Sequence, residues 1–205
     1  MTQNEETRSL PIWRFAVPLL FQVGLILALP AQSIYTHITG KTVVLQTIPV
    51  DPYDPLRGYS QTLSYDISRL ENLQKLPGWQ EVTKQQKSRN SNYLASGTQL
   101  YVVLESPPAG AKQPPVAWKP IKVSGTIPTS LPANQIALKG TGAVSSIRYG
   151  LETYYFPEAQ QQEINQAISQ AQRGRSQSLV VEIKVDKQGN GVPISLWVRD
   201  RHYRF

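Results

Sequence analysis

The hydrophobic pattern of the chain changes rhythm near Lys41. From Phe15 to Leu29 the sequence is apolar apart from Gln22. Beyond Lys41 it breaks into short β-branched stretches separated by proline, glycine and polar clusters. The apolar run sits within Ile12 to Ile34, IWRFAVPLLFQVGLILALPAQSI. A helix of about 23 residues is roughly 34 Å long, enough to cross a hydrocarbon core of about 30 Å. Trp13 and Tyr35 fall where amphipathic rings favour the interface, Arg14 can snorkel outward, and Pro18 and Pro30 are kinks that lipid-embedded helices tolerate. The expected organisation is a cytoplasmic tail over 1–11, a transmembrane helix over 12–34 and one soluble domain over 36–205. A rival reading is a cleaved signal peptide, since Ala31-Gln32-Ser33 offers small residues after the apolar core. Arg8 and Arg14 precede that core and Lys41 is the first basic residue after it, so the positive-inside count places the domain on the extracytoplasmic side.

Within the domain, KTVVLQTIPV from Lys41 to Val50 predicts a strand leading out of the membrane. Asp51 to Gly58, DPYDPLRG, breaks it. Tyr59 to Ile67 then alternates and predicts a half-buried strand with Tyr59, Gln61, Leu63, Tyr65 and Ile67 on one face. The stretch 71–97 is dense in Gln, Lys, Asn and Ser and reads as an exposed polar loop holding at most a short helix. Strands are expected at Thr98–Glu105, at Val116–Ser124 with Pro120 marking an edge or a bulge, at Gln135–Gly140 and over Ala143–Phe156. The one convincingly helical soluble segment starts at Pro157 and stops at Gly174, with Ile164, Ala167, Ile168 and Ala171 at helical spacing. Ser178–Asp186 and Val192–Arg199, joined by KQGNG, predict a hairpin. The fold class is therefore α+β, mostly β: one N-terminal helix, then a single antiparallel-sheet-rich domain with one amphipathic helix.

Composition adds little to this architecture. At 205 residues and 40% hydrophobic content there is room for one domain and an anchor, and the lack of cysteine excludes disulfides and thiolate metal sites. Charge is more informative. Lys84, Lys87, Arg89, Lys112, Lys119, Lys122, Lys139 and Arg148 face Glu105 as the single acid in their stretch, a surplus matching the +7 net charge of the whole chain. Such a basic surface suits anionic headgroups or an acidic partner, or else simply keeps the domain soluble. No aromatic-basic module for nucleic acid is present, so nucleic acid is not an expected partner.

The stretch from Val50 to Ser68 carries a resemblance. Asp51-Pro52, then Leu56-Arg57-Gly58, then Leu63 and Tyr65 resemble the signature of the bacterial GDYXXLXY family. Tyr59 and Ser60 stand where that motif has Asp and Tyr. Tyr101–Glu105, Ala137–Thr141, Arg148–Glu158 and Val181–Gly191 extend the resemblance over most of the domain. It implies a membrane-associated, extracytoplasmic module without an established reaction, often met alongside a polytopic membrane protein.

Chemical signatures are sparse. Asp51, Asp54 and Arg57 can be read as a small polar site, but Asp and Pro also make turns whose side chains cap local amides. Ser33 lies just beyond the apolar run, as a membrane-bound hydrolase would require, yet its surroundings lack a serine-protease motif. His37 and His202 are the only histidines, and nothing calls for a cofactor or a metal. The combined expectation is a non-enzymatic single-pass membrane protein whose domain binds or scaffolds a larger membrane protein or complex. Its alternatives are a binding module for an anionic ligand or lipid headgroup, and a membrane-bound hydrolase.

Overall fold

The computed structural model describes residues 12–48, 60–84, 94–108, 110, 113–155, 163–164, 166–168 and 179–204. Helix α1 spans Trp13–Thr39 and contains Pro18 and Pro30. It bends by 43° between Trp13–Ala28 and Pro30–Thr39, where proline removes a backbone donor and its ring clashes with the preceding turn. Among the described residues no single straight helix is long and apolar enough to cross a membrane, although the bent pair passes on length and composition. Its large apolar side chains are bare: Leu20, Phe21 and Ile26 are 69%, 67% and 66% exposed. The chain divides into two compact units, Met1–Tyr35 and Thr36–Phe205.

The second unit is built mainly of antiparallel strands. A five-stranded sheet has the order β11-β10-β9-β1-β3, from β1 (Lys41–Ile48), β3 (Ser64–Tyr65), β9 (Leu179–Val185), β10 (Gly191–Val198) and β11 (Arg201–Arg204). A four-stranded sheet has the order β5-β4-β6-β7, from β4 (Gln99–Glu105), β5 (Lys119–Ser124), β6 (Gln135–Gly142) and β7 (Ile147–Arg148). A third, two-stranded pair joins β2 (Ser60–Thr62) to β8 (Thr153–Tyr155). Alternation decides what is buried. Val43 and Leu45 of β1, Val181 and Ile183 of β9, Leu100, Val102 and Leu104 of β4, and Leu138 of β6 all enter one core cluster shared by both large sheets. Two backbone bonds join the sheets at their margins, Trp118 N to Val44 O and Lys139 N to Gly189 O, each 2.8 Å. The predicted hairpin is β9–β10. Pro120 lies on edge strand β5, opposite a register shift between Val103 and Leu104.

Three expectations need correction. The strand read over Tyr59–Ile67 is two short strands with different partners, since β2 pairs with β8 and β3 with β1, and it closes in a 3-10 helix at Asp66–Ser68. The alternation is real, because Leu63, Tyr65 and Ile67 are all buried, but period two does not say which strand lies alongside. The polar stretch 71–97 holds α2 (Leu70–Leu73) and α3 (Trp79–Lys84). Leu73, Trp79 and Val82 from these short helices are core residues. A few anchors at helical spacing outweighed the polar composition, so the 157–174 segment is not the domain's single helical stretch. Of that segment 163–164 and 166–168 are described; they are helical, and Ile164 and Ile168 are buried.

Candidate functional site

Asp51, Asp54, Leu56, Arg57 and Gly58 lie outside the described residues, as do Lys87, Arg89 and Lys112. Leu63 and Tyr65, which end the motif, are core residues at 2% and 0% exposure. The Tyr65 hydroxyl donates to Leu151 O at 2.5 Å and lies against the Tyr154 hydroxyl. Tyr149 donates from its hydroxyl to Ile67 O at 2.6 Å, and its backbone N–H donates to Glu152 Oε1 at 2.6 Å. Burial pushes the phenols of Tyr65, Tyr149 and Tyr154 well up, and neighbouring negative charge from Glu152 adds to this for all three. These rings stay neutral and serve as hydrogen-bonding struts, Tyr65 and Tyr149 each donating to a main-chain carbonyl and Tyr154 bonding to Tyr65.

A second polar focus sits in the β9–β10 turn. Asp186, 3% exposed, accepts from Thr36 Oγ1 at 2.7 Å, from the backbone N–H groups of Gln188 and Asn190 at 2.9 Å each, and from Asn190 Nδ2 at 3.1 Å. Burial raises its pKa, but these bonds outweigh it and hold the carboxyl below the usual aspartate range. Thr36 belongs to the last turns of α1, so the carboxylate fastens that helix end to the hairpin. Sequence reading had placed 187–191 as a turn and missed Asp186 as a hub, for which the Asp-x-x-x-Asn spacing was the available signal.

The basic residues separate into groups. Register places Lys139 of β6 beside Tyr101 of β4, Lys122 of β5 beside Val103, and Arg148 of β7 beside Thr141. Period two puts all three cations on the face opposite the core side chains Leu100, Val102 and Leu104. Lys122 and Arg148 are exposed and Lys139 is half-exposed. Among the described residues none of the three forms an ion pair or a side-chain hydrogen bond. Glu105 shares the face, but its carboxylate accepts from Asn134 and Gln135. Strand neighbours are about 4.8 Å apart and alternate residues about 6.8 Å, so the three cations form a diagonal stripe roughly 20 Å long. Lys84 ends α3 and is exposed, and Lys119 lines a groove beside β1.

A serine, a carboxylate and an imidazole also meet, on β9–β11. Ser195 Oγ donates to Glu182 Oε2, and His202 Nε2 lies 3.6 Å from the same oxygen. His202 stacks on Trp197 with ring centroids 4.2 Å apart. The carboxylate stands between serine and imidazole, so this trio lacks the serine–imidazole contact through which a triad deprotonates its nucleophile. Ser33 lies in the other compact unit. Among the described residues, no three His, Asp or Glu side chains converge on a metal position.

A family model described as GDYXXLXY protein matches residues 22–196. No curated protein matches the chain, and no solved structure matches it.

Proposed function

The chain belongs to the GDYXXLXY family, and from that premise we propose that it is a non-enzymatic single-pass membrane protein whose extracytoplasmic domain docks onto a larger membrane protein. The observation that carries the reading is the cationic face of the four-stranded sheet. Lys122, Lys139 and Arg148 lie on one face of the sheet, around the half-buried Tyr101 and the buried Val103 and Ala137, with no partner among the described residues. Charges placed this way steer an acidic partner and fix its register more than they add raw affinity. The bare apolar surface of α1 supports a lipid surrounding, since a run of large exposed apolar side chains needs something other than water to cover it. Tethering to the bilayer confines the search for a partner to two dimensions. Arg8 and Arg14 on one side of the apolar run support the extracytoplasmic placement of the domain.

Affinity purification in mild detergent at native abundance tests this reading. A membrane protein is expected to accompany the wild-type chain and to be lost from the Lys122→Glu, Lys139→Glu, Arg148→Glu triple variant. Recovery of the wild-type protein alone overturns the reading.

A further inference from the structure

A groove of about 1030 Å³ runs beside β1, lined by Gln46 and Ile48 of that strand, Val180 of β9, the 3-10 helix residue Asp66, Arg69, and the segment Gln113–Pro120. Its volume matches the upper range of small-molecule pockets, about 300–1,000 Å³. Apolar walls come from Ile48, Val180, Pro114, Pro115 and Trp118, which offer flat or branched surfaces to a ring. The charges are unbalanced. Among the described lining residues Arg69 and Lys119 stand with one carboxylate, Asp66, whose Oδ1 accepts from Asn72 Nδ2 at 2.7 Å, and Lys119 lies opposite Glu105 across the β4–β5 ladder. The side chains of Arg69 and Lys119 have no ion pair or hydrogen bond among the described residues. Lys41 Nζ lies 5.1 Å from the Trp118 ring centroid and donates to the Ala133 carbonyl, so it is already engaged.

We propose that this groove binds a small anionic amphiphile, an apolar, ring-bearing body carrying one carboxylate, sulfonate or phosphate, with its body against Trp118 and its anion on Arg69. An anion there pairs with Arg69, which forms no ion pair among the described residues, and an Arg fork is suited to planar or tetrahedral oxyanions. A cation or a neutral polar ligand leaves that imbalance in place. The proposal rests on Arg69 and Trp118 and not on Lys122, Lys139 and Arg148, so neither proposal depends on the other.

The test uses the full chain in neutral detergent, labelled with 5-fluorotryptophan and titrated with naphthalene-2-sulfonate. Its neutral isostere naphthalene-2-sulfonamide is the control. The fluorine resonance of Trp118, assigned from the Trp118→Phe protein, is expected to shift saturably with the sulfonate while those of Trp79 and Trp197 hold still. Arg69→Gln is expected to weaken the sulfonate about tenfold, the loss of one charge-assisted hydrogen bond, and to leave the sulfonamide unchanged. Lys139→Gln, on the docking face, is expected to change neither. Absence of a Trp118 shift, equal affinity for sulfonate and sulfonamide, or an Arg69→Gln protein that binds like wild type each overturns the proposal.

Discussion

Replacing Asp186 should do more damage than its turn position suggests. In the folded chain its carboxylate accepts from Thr36 Oγ1, Gln188 N, Asn190 N and Asn190 Nδ2 at 2.7–3.1 Å, and the residue is 3% exposed. Hydrogen bonds to a charged group contribute about 1.5–3 kcal/mol each and do not add independently, so Asp186→Ala is expected to cost about 3–5 kcal/mol. Thr36→Val removes one donor and should cost about 1.5–3 kcal/mol. The two losses overlap, and a double-mutant cycle should return a coupling of more than about 1 kcal/mol. The pH dependence has a definite sign. The folded carboxyl titrates below the unfolded one, so the stability is fully present above the unfolded value of 3.8 and is lost as pH falls through the folded value. Asp186→Asn should flatten the stability profile in that acidic window. Denaturant titration of the full chain in neutral micelles, followed by near-ultraviolet circular dichroism, measures all of these. Strict additivity of Thr36→Val and Asp186→Ala, or an unchanged acid limb in Asp186→Asn, would refute the reasoning.

Other variants probe the core. Tyr65→Phe removes the donor to the buried Leu151 carbonyl and should cost about 1–3 kcal/mol, read as a lower denaturation midpoint with an unchanged slope. Trp79→Ala empties a site that is 3% exposed within the shared core and should cost about 3–5 kcal/mol; a loss below 1 kcal/mol would mean that α3 is a surface appendage. Gly78 has φ +88°, and a Cβ there would stand 1.9 Å from Val123 O. Gly78→Ala should therefore destabilise by more than about 2 kcal/mol, checked by thermal unfolding.

Much of the domain was legible because alternation and turn residues act locally. The β9–β10 hairpin, β4, β6 and the edge position of Pro120 followed from period two and from proline's missing donor. Partner choice was not legible. Nothing local to Tyr59–Ile67 says that Ser60–Thr62 pairs with Thr153–Tyr155 while Ser64–Tyr65 pairs with Thr47 and Ile48. Composition misled at 71–97, where Leu73, Trp79 and Val82 suffice to seat two short helices in the core despite their polar neighbours. At the site level, the surplus of basic residues was visible, but only register selects Lys122, Lys139 and Arg148 as a shared face. Arg69 carried no signal at all, because the groove it lines is walled by segments far apart in sequence.

The pairing of β1 with β9 also sets a timetable. The helix end and the hairpin that holds it are 150 positions apart, from Thr36 to Asp186. At about 5–20 residues per second, synthesis needs roughly 8–30 s to supply the second after the first. During that interval only the far end of β1, Thr47 and Ile48, has a ladder partner in β3, and the edge that will take β9 stays open to association with other chains. A nascent chain stopped before Leu179 therefore lacks the strand that joins β1 to the β10–β11 half of the sheet, so that sheet forms only once β9 has been made.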